Sequence, residues 1–444
     1  MCLPTHRRWR TGLLPVLLLC VHGWAAEGAA TPPQQPPPLE LKALTLESAQ
    51  AYAFERNWDL LAAAAGVDAA TAQKIVAREF PNPTFSYSTT KINVDNHPNS
   101  TPEGNGLWDR SYDTVFAINQ LFEIGGKRKN RQASAQAGYE SARALLYDAR
   151  RTLSLAVARA YIAAEQAQEN VRVLRESAAT LRQEAQLAEV RLKSGEISSA
   201  DKTQIDINAE RFEADANAAE AAAAQARIAL EVLLGLPHPN PDCVLADSLE
   251  KLAATAQPPS TNATGLRRAD VAAAEAAWRK AEADWRFQKA MRIPDPTVLA
   301  QYEHEPPDAP NSVGFGVSFP LPLWNRNRGN ILTADAIREQ ARLAFEKVKA
   351  QAEADIATAV VGYQDASRRW ERYREHIRPQ SKEVRQTKAY AYQKGAASLL
   401  DMLVAERDDN EVRLAALQAA GDTANALAAL QAATQEIQPQ DVKK

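Results

Sequence analysis

The chain is poor in cysteine, methionine and glycine, with three, three and 18 of them among 444 residues. So few cysteines exclude a disulfide-stapled scaffold. Net charge is also small: 52 Lys and Arg against 55 Asp and Glu give −3, not the basic excess of a general nucleic-acid binder. Long apolar runs are missing. The one candidate span is Leu13 to Val21, and a mean hydropathy of −0.40 excludes a polytopic helical membrane protein. No Gly-x-Ser-x-Gly elbow and no His-Glu-x-x-His helix is present, so a hydrolase has no support. Gly126-Lys127 is no phosphate loop, because Leu121 and Arg128 stand where glycine and Ser/Thr are required. What the chain has in abundance is alanine, which favours long helices.

The N-terminus reads as an export signal over residues 1–30. Arg7, Arg8 and Arg10 precede the apolar run, and small residues follow from Gly23 to Ala30. Cleavage after Ala25 or after Ala30 fits, and the run is short for a permanent anchor. Leu19 stands where a lipoprotein box wants a small residue before Cys20. Removing residues 1–30 takes away three Arg and Glu27, leaving a charge of −5 and Cys243 as the one cysteine. Residues 31–45 begin as an extended, Pro-rich lead-in.

The remainder reads as one block used twice: residues 46–237 and 266–434, joined by a linker at 238–265 and followed by a polar tail at 435–444. Pro81-Asn82-Pro83 matches Pro294-Asp295-Pro296, Arg191-Leu-Lys-Ser-Gly195 matches Tyr392-Gln-Lys-Gly395, and Asn57-Trp58-Asp59-Leu60 matches Arg268-Ala269-Asp270-Val271. Leu146, Leu153, Ala160, Ala167, Leu174, Leu181 and Ala188 form a heptad seam with a companion through Val157, Ala164, Val171, Ala178, Ala185 and Leu192. Ile356, Tyr363, Trp370, Ile377 and Val384 form the second-half equivalent. Helices are expected over 127–192 and 329–394, each roughly 100 Å long at about 1.5 Å per residue. Shorter helices near 46–79, 198–233, 266–290 and 398–433 would stack end to end beside them.

Strands are expected near 84–94, 112–122, 297–303 and 313–320. Phe85 and Tyr87 alternate with Ser86 and Ser88, Phe116 and Ile118 with polar or small residues, and Phe315 and Phe319 with Gly316 and Ser318. Segments of about ten residues with aromatic and polar faces suit a transmembrane barrel, which needs about eight or more strands and hence several chains. The polar segments 95–111 and 303–312 would be exposed hairpin connections. Lys127, Arg128, Lys129 and Arg131 read as cations reaching toward lipid headgroups.

The chain resembles the TolC family of outer-membrane efflux channels, and more narrowly the outer-membrane subunit of cobalt–zinc–cadmium-type heavy-metal pumps of the RND class. The residues carrying this are Leu44-Thr-Leu-Glu-Ser-Ala49, Phe80-Pro-Asn-Pro83, Leu121-Phe-Glu-Ile-Gly-Gly-Lys-Arg128, Val232-Leu-Leu-Gly-Leu-Pro237 and Phe319-Pro-Leu-Pro-Leu-Trp-Asn-Arg-Asn327. Trp58 and Ala269 depart from it, since the family has proline there. The resemblance implies a mainly α fold with a small β part. As a homotrimer it would form a 12-stranded outer-membrane barrel continued by a helical periplasmic tunnel in a Gram-negative cell. It implies a periplasmic adaptor and an inner-membrane RND pump as partners, with outer-membrane lipid around the barrel, no nucleic acid, no cofactor and no enzymatic activity. The lipid-facing residues would be Phe85, Tyr87, Phe116, Ile118, Phe315 and Phe319.

The resemblance also places the entrance and adaptor tip at Gly195, Asp201, Tyr392, Gly395 and Asp401. Ala397 and Val404 replace an arginine and an aspartate of the best-known member's latch. A threefold ring of Asp401 carboxylates would favour cations. An acid in the first turn of a helix, favourable to the dipole, is the equal alternative for Asp201. His238, Asp242 and Cys243, like Glu303-His304-Glu305, lack the spacing of a structural metal site. A channel for drugs or organic solutes, and a periplasmic coiled-coil adaptor or structural protein, are the alternatives.

Overall fold

The computed structural model describes residues 43–91, 113–238, 240, 243–254, 267–305 and 309–436. The export signal, Cys20, the lead-in up to residue 42, the segment 95–111 and the tail from 437 lie outside the described residues. The elements are α1 (Leu46–Arg56), α2 (Trp58–Arg78), β1 (Thr84–Thr90), β2 (Asp113–Leu121), α3 (Lys127–Lys193), α4 (Ser199–Leu233) and α5 (Leu249–Ala254). They continue with α6 (Ala269–Ala290), β3 (Thr297–Glu305), β4 (Ala309–Ser318), α7 (Arg328–Arg372), a π-helical turn (Tyr373–Ile377), α8 (Arg378–Gln393) and α9 (Leu399–Thr434).

Helix α3 is the spine. Its 67 residues pack against α2 and α6 toward the sheet and against α4 and α9 farther on. The heptad seams form its core: Leu153, Val157, Ala164, Leu174, Ala178, Leu181 and Ala188 are buried. Small residues dominate the partner helix, where Ala416, Ala419, Ala420 and Ala424 pack around Ile162 and Trp370. Helix separation follows side-chain size, so alanine brings the axes close.

The expected helix over 46–79 is broken at Asn57. Its side-chain oxygen accepts from the Asp59 and Leu60 N–H groups, starting α2, while its Nδ2 donates to the Leu233 carbonyl at 3.0 Å. Helices α2 and α4 therefore meet end to end beside α3. Gly235, at φ +74°, passes so close that a Cβ would lie 2.5 Å from the Arg56 carbonyl oxygen.

The second long helix is also not a single α-helix. Pro379 has no N–H, and its ring crowds the carbonyl four residues back. The chain answers with the π turn, where the Arg378 N–H bonds to the Tyr373 carbonyl. One extra residue shifts the phase. Val384, expected on the seam, is 54% exposed. Ser381 and Arg385 face α9 instead, bonded to Asp409 at 2.9 Å and paired with Glu406 at 3.2 Å. Burial pushes the Glu406 carboxyl above its ordinary range.

The lead-in ends earlier than expected. Leu44 is buried and forms a parallel bridge with Leu245, its carbonyl accepting from the Tyr161 hydroxyl at 2.8 Å. The Asp247 carboxylate caps α1 by accepting from the Leu46 N–H at 2.8 Å. The linker adds α5, which packs on α9.

The four strands pair antiparallel in chain order, β1-β2-β3-β4, and the β2–β3 pairing joins the two halves. Strand β4 begins at Ala309 and ends at Ser318, so Phe319 lies just beyond the strand expected to hold it. Strand β3 runs to Glu305, and the expected connection 303–312 shrinks to 306–308, outside the described residues.

Candidate functional site

The register gathers the aromatic residues on one face. Phe85 pairs with Ile118, Tyr87 with Phe116, Phe116 with Tyr302, and Ala300 with Phe315. Tyr87 and Phe116 ring centroids lie 5.1 Å apart and those of Phe116 and Tyr302 6.3 Å apart, leaving Phe116 half-buried. Phe315 is 84% exposed, and Phe85, Tyr87, Ile118, Val313 and Val317 are exposed beside it. Ser86, Ser88, Asn119, Gln301, Gly314 and Gly316 fall on the other face. Tyr302 is the member that inspection of single strands missed; its signal is the alternation Val298, Ala300, Tyr302. Strands β1 and β4 are the outer strands of this sheet.

The opposite ends of the long helices carry two matching turns. Gly195 and Gly395 adopt φ +77° and +74°, with open space where a Cβ would stand. Backbone conformation alone therefore selects glycine. The Glu196 N–H reaches back to the Arg191 carbonyl at 2.9 Å and the Ala396 N–H to the Ala391 carbonyl at 2.8 Å, satisfying orphan carbonyls of the ending helices.

Each following helix opens with a capping box. The Ser198 hydroxyl accepts from the Asp201 N–H at 3.1 Å and donates to the Asp201 carboxylate at 2.8 Å. Ser398 and Asp401 repeat those bonds at the same distances. Lys388 stands 3.6 Å from Asp401. The Ser398 hydroxyl and N–H, then the Lys388 charge, hold the Asp401 carboxyl below its ordinary range. The two turns meet where the Arg191 guanidinium lies 5.6 Å from the Tyr392 ring centroid. All five residues expected at the entrance thus lie on the two hairpin tips. Both aspartates have a full local role in starting their helices.

At the sheet end, the basic run has mostly other duties than lipid contact. Lys127 is 4% exposed, pairs with Asp295 at 2.7 Å and donates to the Ile293 carbonyl at 2.6 Å. Arg128 and Arg131 donate to the Arg78, Ala77 and Glu79 carbonyls, closing the end of α2, and Arg131 also pairs with Glu123. Of the four cations, Lys129 alone is exposed and without such a tie.

Midway along α3, Glu165 is 4% exposed and one carboxylate oxygen has no hydrogen-bond partner. Burial, helped by the Glu169 and Asp247 charges, pushes its pKa up to about 7. No group of three His, Cys, Asp or Glu that could hold a metal occurs among the described residues. His304 contacts the Pro310 carbonyl through Nδ1, and Cys243 is buried with its thiol pushed up by desolvation.

Long paired helices that end in a sheet with one aromatic and one polar face are the protomer architecture of an outer-membrane channel. The outer membrane efflux protein family matches residues 51–236 and 262–435, and the chain belongs to that family, a family of efflux channels and not of enzymes. It is 26% identical to the cobalt-zinc-cadmium resistance protein CzcC of Cupriavidus metallidurans over 388 residues, 86% of this chain and 87% of that one. A membrane protein from Pseudomonas aeruginosa shares the fold with TM-score 0.74 and 20% identity, covering 88% of this chain and 92% of that one. CusC, solved in a study of its folding and transmembrane channel formation, aligns with TM-score 0.71, 20% identity and the same coverages.

Proposed function

We propose that three copies of this chain form a conduit through the outer membrane that passes divalent heavy-metal cations outward. The observation that carries the conduit is the sheet: one continuous aromatic face, one polar face, and an outer strand on each side. Four strands cannot close on themselves, whereas three sheets joined β4 to β1 supply 12. The aromatic face then meets lipid and the polar face lines water. Helix α2, whose Trp58, Leu61, Ile75 and Val76 are exposed, supplies an apolar flank for a neighbouring copy.

The metal cargo rests on likeness to CzcC across most of both chains. A periplasmic adaptor and an inner-membrane RND pump complete the system, with the adaptor reading the tips at Gly195 and Gly395. Deletion of the gene tests the cargo. Tolerance of zinc, cobalt, cadmium or nickel should fall while drug tolerance changes little. Unchanged metal tolerance with lost resistance to dyes or antibiotics would replace metals by organic solutes and leave the conduit standing.

A further inference from the structure

The end of the sheet nearest the long helices carries charges that no contact explains. Four chain crossings meet there, and they are tied into one block. The Ile124 N–H donates to Asp295 at 2.9 Å, Lys127 pairs with the same carboxylate, and Asn327 Nδ2 donates to the Gln288 carbonyl at 2.8 Å. The starts of α3 and α7 and the end of α6 are thereby held side by side. Two acids of this block are engaged, Asp295 by Lys127 and Glu123 by Arg131, which leaves exposed Glu79 as the nearby carboxylate against several free cations. Residues 309–334 contain Arg326 and Arg328 and no Asp or Glu, and residues 124–139 contain four cations and no acid. Among the described residues, exposed Lys129, Arg292, Arg326 and Arg328 have neither an ion pair nor a side-chain hydrogen bond.

Apolar surface adjoins these cations. Trp324 is 93% exposed and Leu323 59%, and Phe319, at 57%, continues the aromatic face of the sheet into this turn. Tryptophan with a wet edge and an apolar body suits the boundary between hydrocarbon and headgroups. A guanidinium fork suits phosphate oxygens.

We propose that this junction binds the phosphate groups of anionic phospholipids in the periplasm-facing leaflet of the outer membrane. The proposal rests on the lipid-facing reading of the sheet given above. Arg326 and Arg328 grip the phosphates, Arg292 and Lys129 extend the belt, and Trp324 lies at the glycerol level. A second copy of the chain is the other occupant the test must separate, because joining β4 to a neighbour's β1 brings that copy's Arg78 and Glu79 toward this edge.

The test uses the mature full-length assembly, stripped of lipid in a neutral detergent. It is offered equal amounts of phosphatidylglycerol and phosphatidylethanolamine with matched acyl chains, and retained lipids are counted by native mass spectrometry. Phosphatidylglycerol should be preferred. R326Q/R328Q should lower that preference by about fivefold per cation removed, the scale of one charge near an anionic surface. R292Q/K129Q gives an independent second reading, and Arg279→Gln, which removes a cation paired with Glu140 elsewhere, should change nothing.

Equal retention of the two lipids, or unchanged preference in both double variants, would overturn the proposal. So would full displacement of the lipid by inorganic phosphate, which would make this an ion site. Dissociation of the assembly by Trp324→Ala with unchanged lipid preference would make the surface a contact between copies. Conductance in zwitterionic bilayers separates the two readings. Channels that open there without any phosphatidylglycerol preference sink the lipid proposal alone, whereas no conductance in any lipid sinks the conduit.

Discussion

Asp401 is already committed to its own helix. A carboxylate bonded to Ser398 and facing Lys388 can still present charge to an axis, and two substitutions separate these roles. Ser398→Ala removes the cap and keeps the charge, at a cost of about 1 kcal/mol to the start of α9. Asp401→Asn removes the charge and keeps a polar group near the cap. If the carboxylate selects cations, Asp401→Asn channels in planar bilayers lose cation preference and Ser398→Ala channels keep it. Equal selectivity in both would leave capping as the whole role of Asp401. Glu165 offers a second measurement. Its folded pKa, about 7, lies above the ordinary 4.5, so its stabilising contribution is complete below that ordinary value and is lost as pH rises through 7. Glu165→Gln should flatten the fall of melting temperature between acidic and mildly alkaline pH. At pH 8 it should stabilise by on the order of 2 kcal/mol. A variant with the parent's pH profile would place the dependence elsewhere.

Elements show where sequence was a sufficient guide and where it was not. The α3 seam was legible because Leu, Val and Ala recur at the helical period, and the tips because Gly195 and Gly395 end matching segments of the two halves. The break at Asn57 was not: its cause is the Leu233 carbonyl at the end of a helix distant in sequence. Nor could a run of basic residues reveal that Lys127 sits beside Asp295. The π turn did leave a clue in Pro379, yet proline alone does not say whether a helix will kink, end or take in an extra residue. Strand alternation was read correctly within strands, while their ends depended on pairing, so Phe319 fell outside β4. The central prediction for this element concerns its aromatic face. Phe315→Arg should prevent assembly, since a charge on lipid-facing surface near mid-bilayer costs roughly 2–4 kcal/mol per site. Normal oligomer yield in outer-membrane fractions would mean that the face does not meet lipid.

At the scale of the whole molecule, the two halves are similar in order but unequal in detail. Helix α3 runs unbroken through 67 residues, whereas its counterpart takes in the π turn and then meets α9 through Ser381 and Arg385 instead of an apolar seam. A duplicated chain used three times could imitate sixfold rotational symmetry around the tunnel. The halves differ in sequence and in the π turn, so three copies arranged as proposed repeat only every third of a turn and the symmetry is threefold. Any side chain that the second hairpin turns toward the axis recurs every 120°, with a chemically different neighbour between each pair of copies.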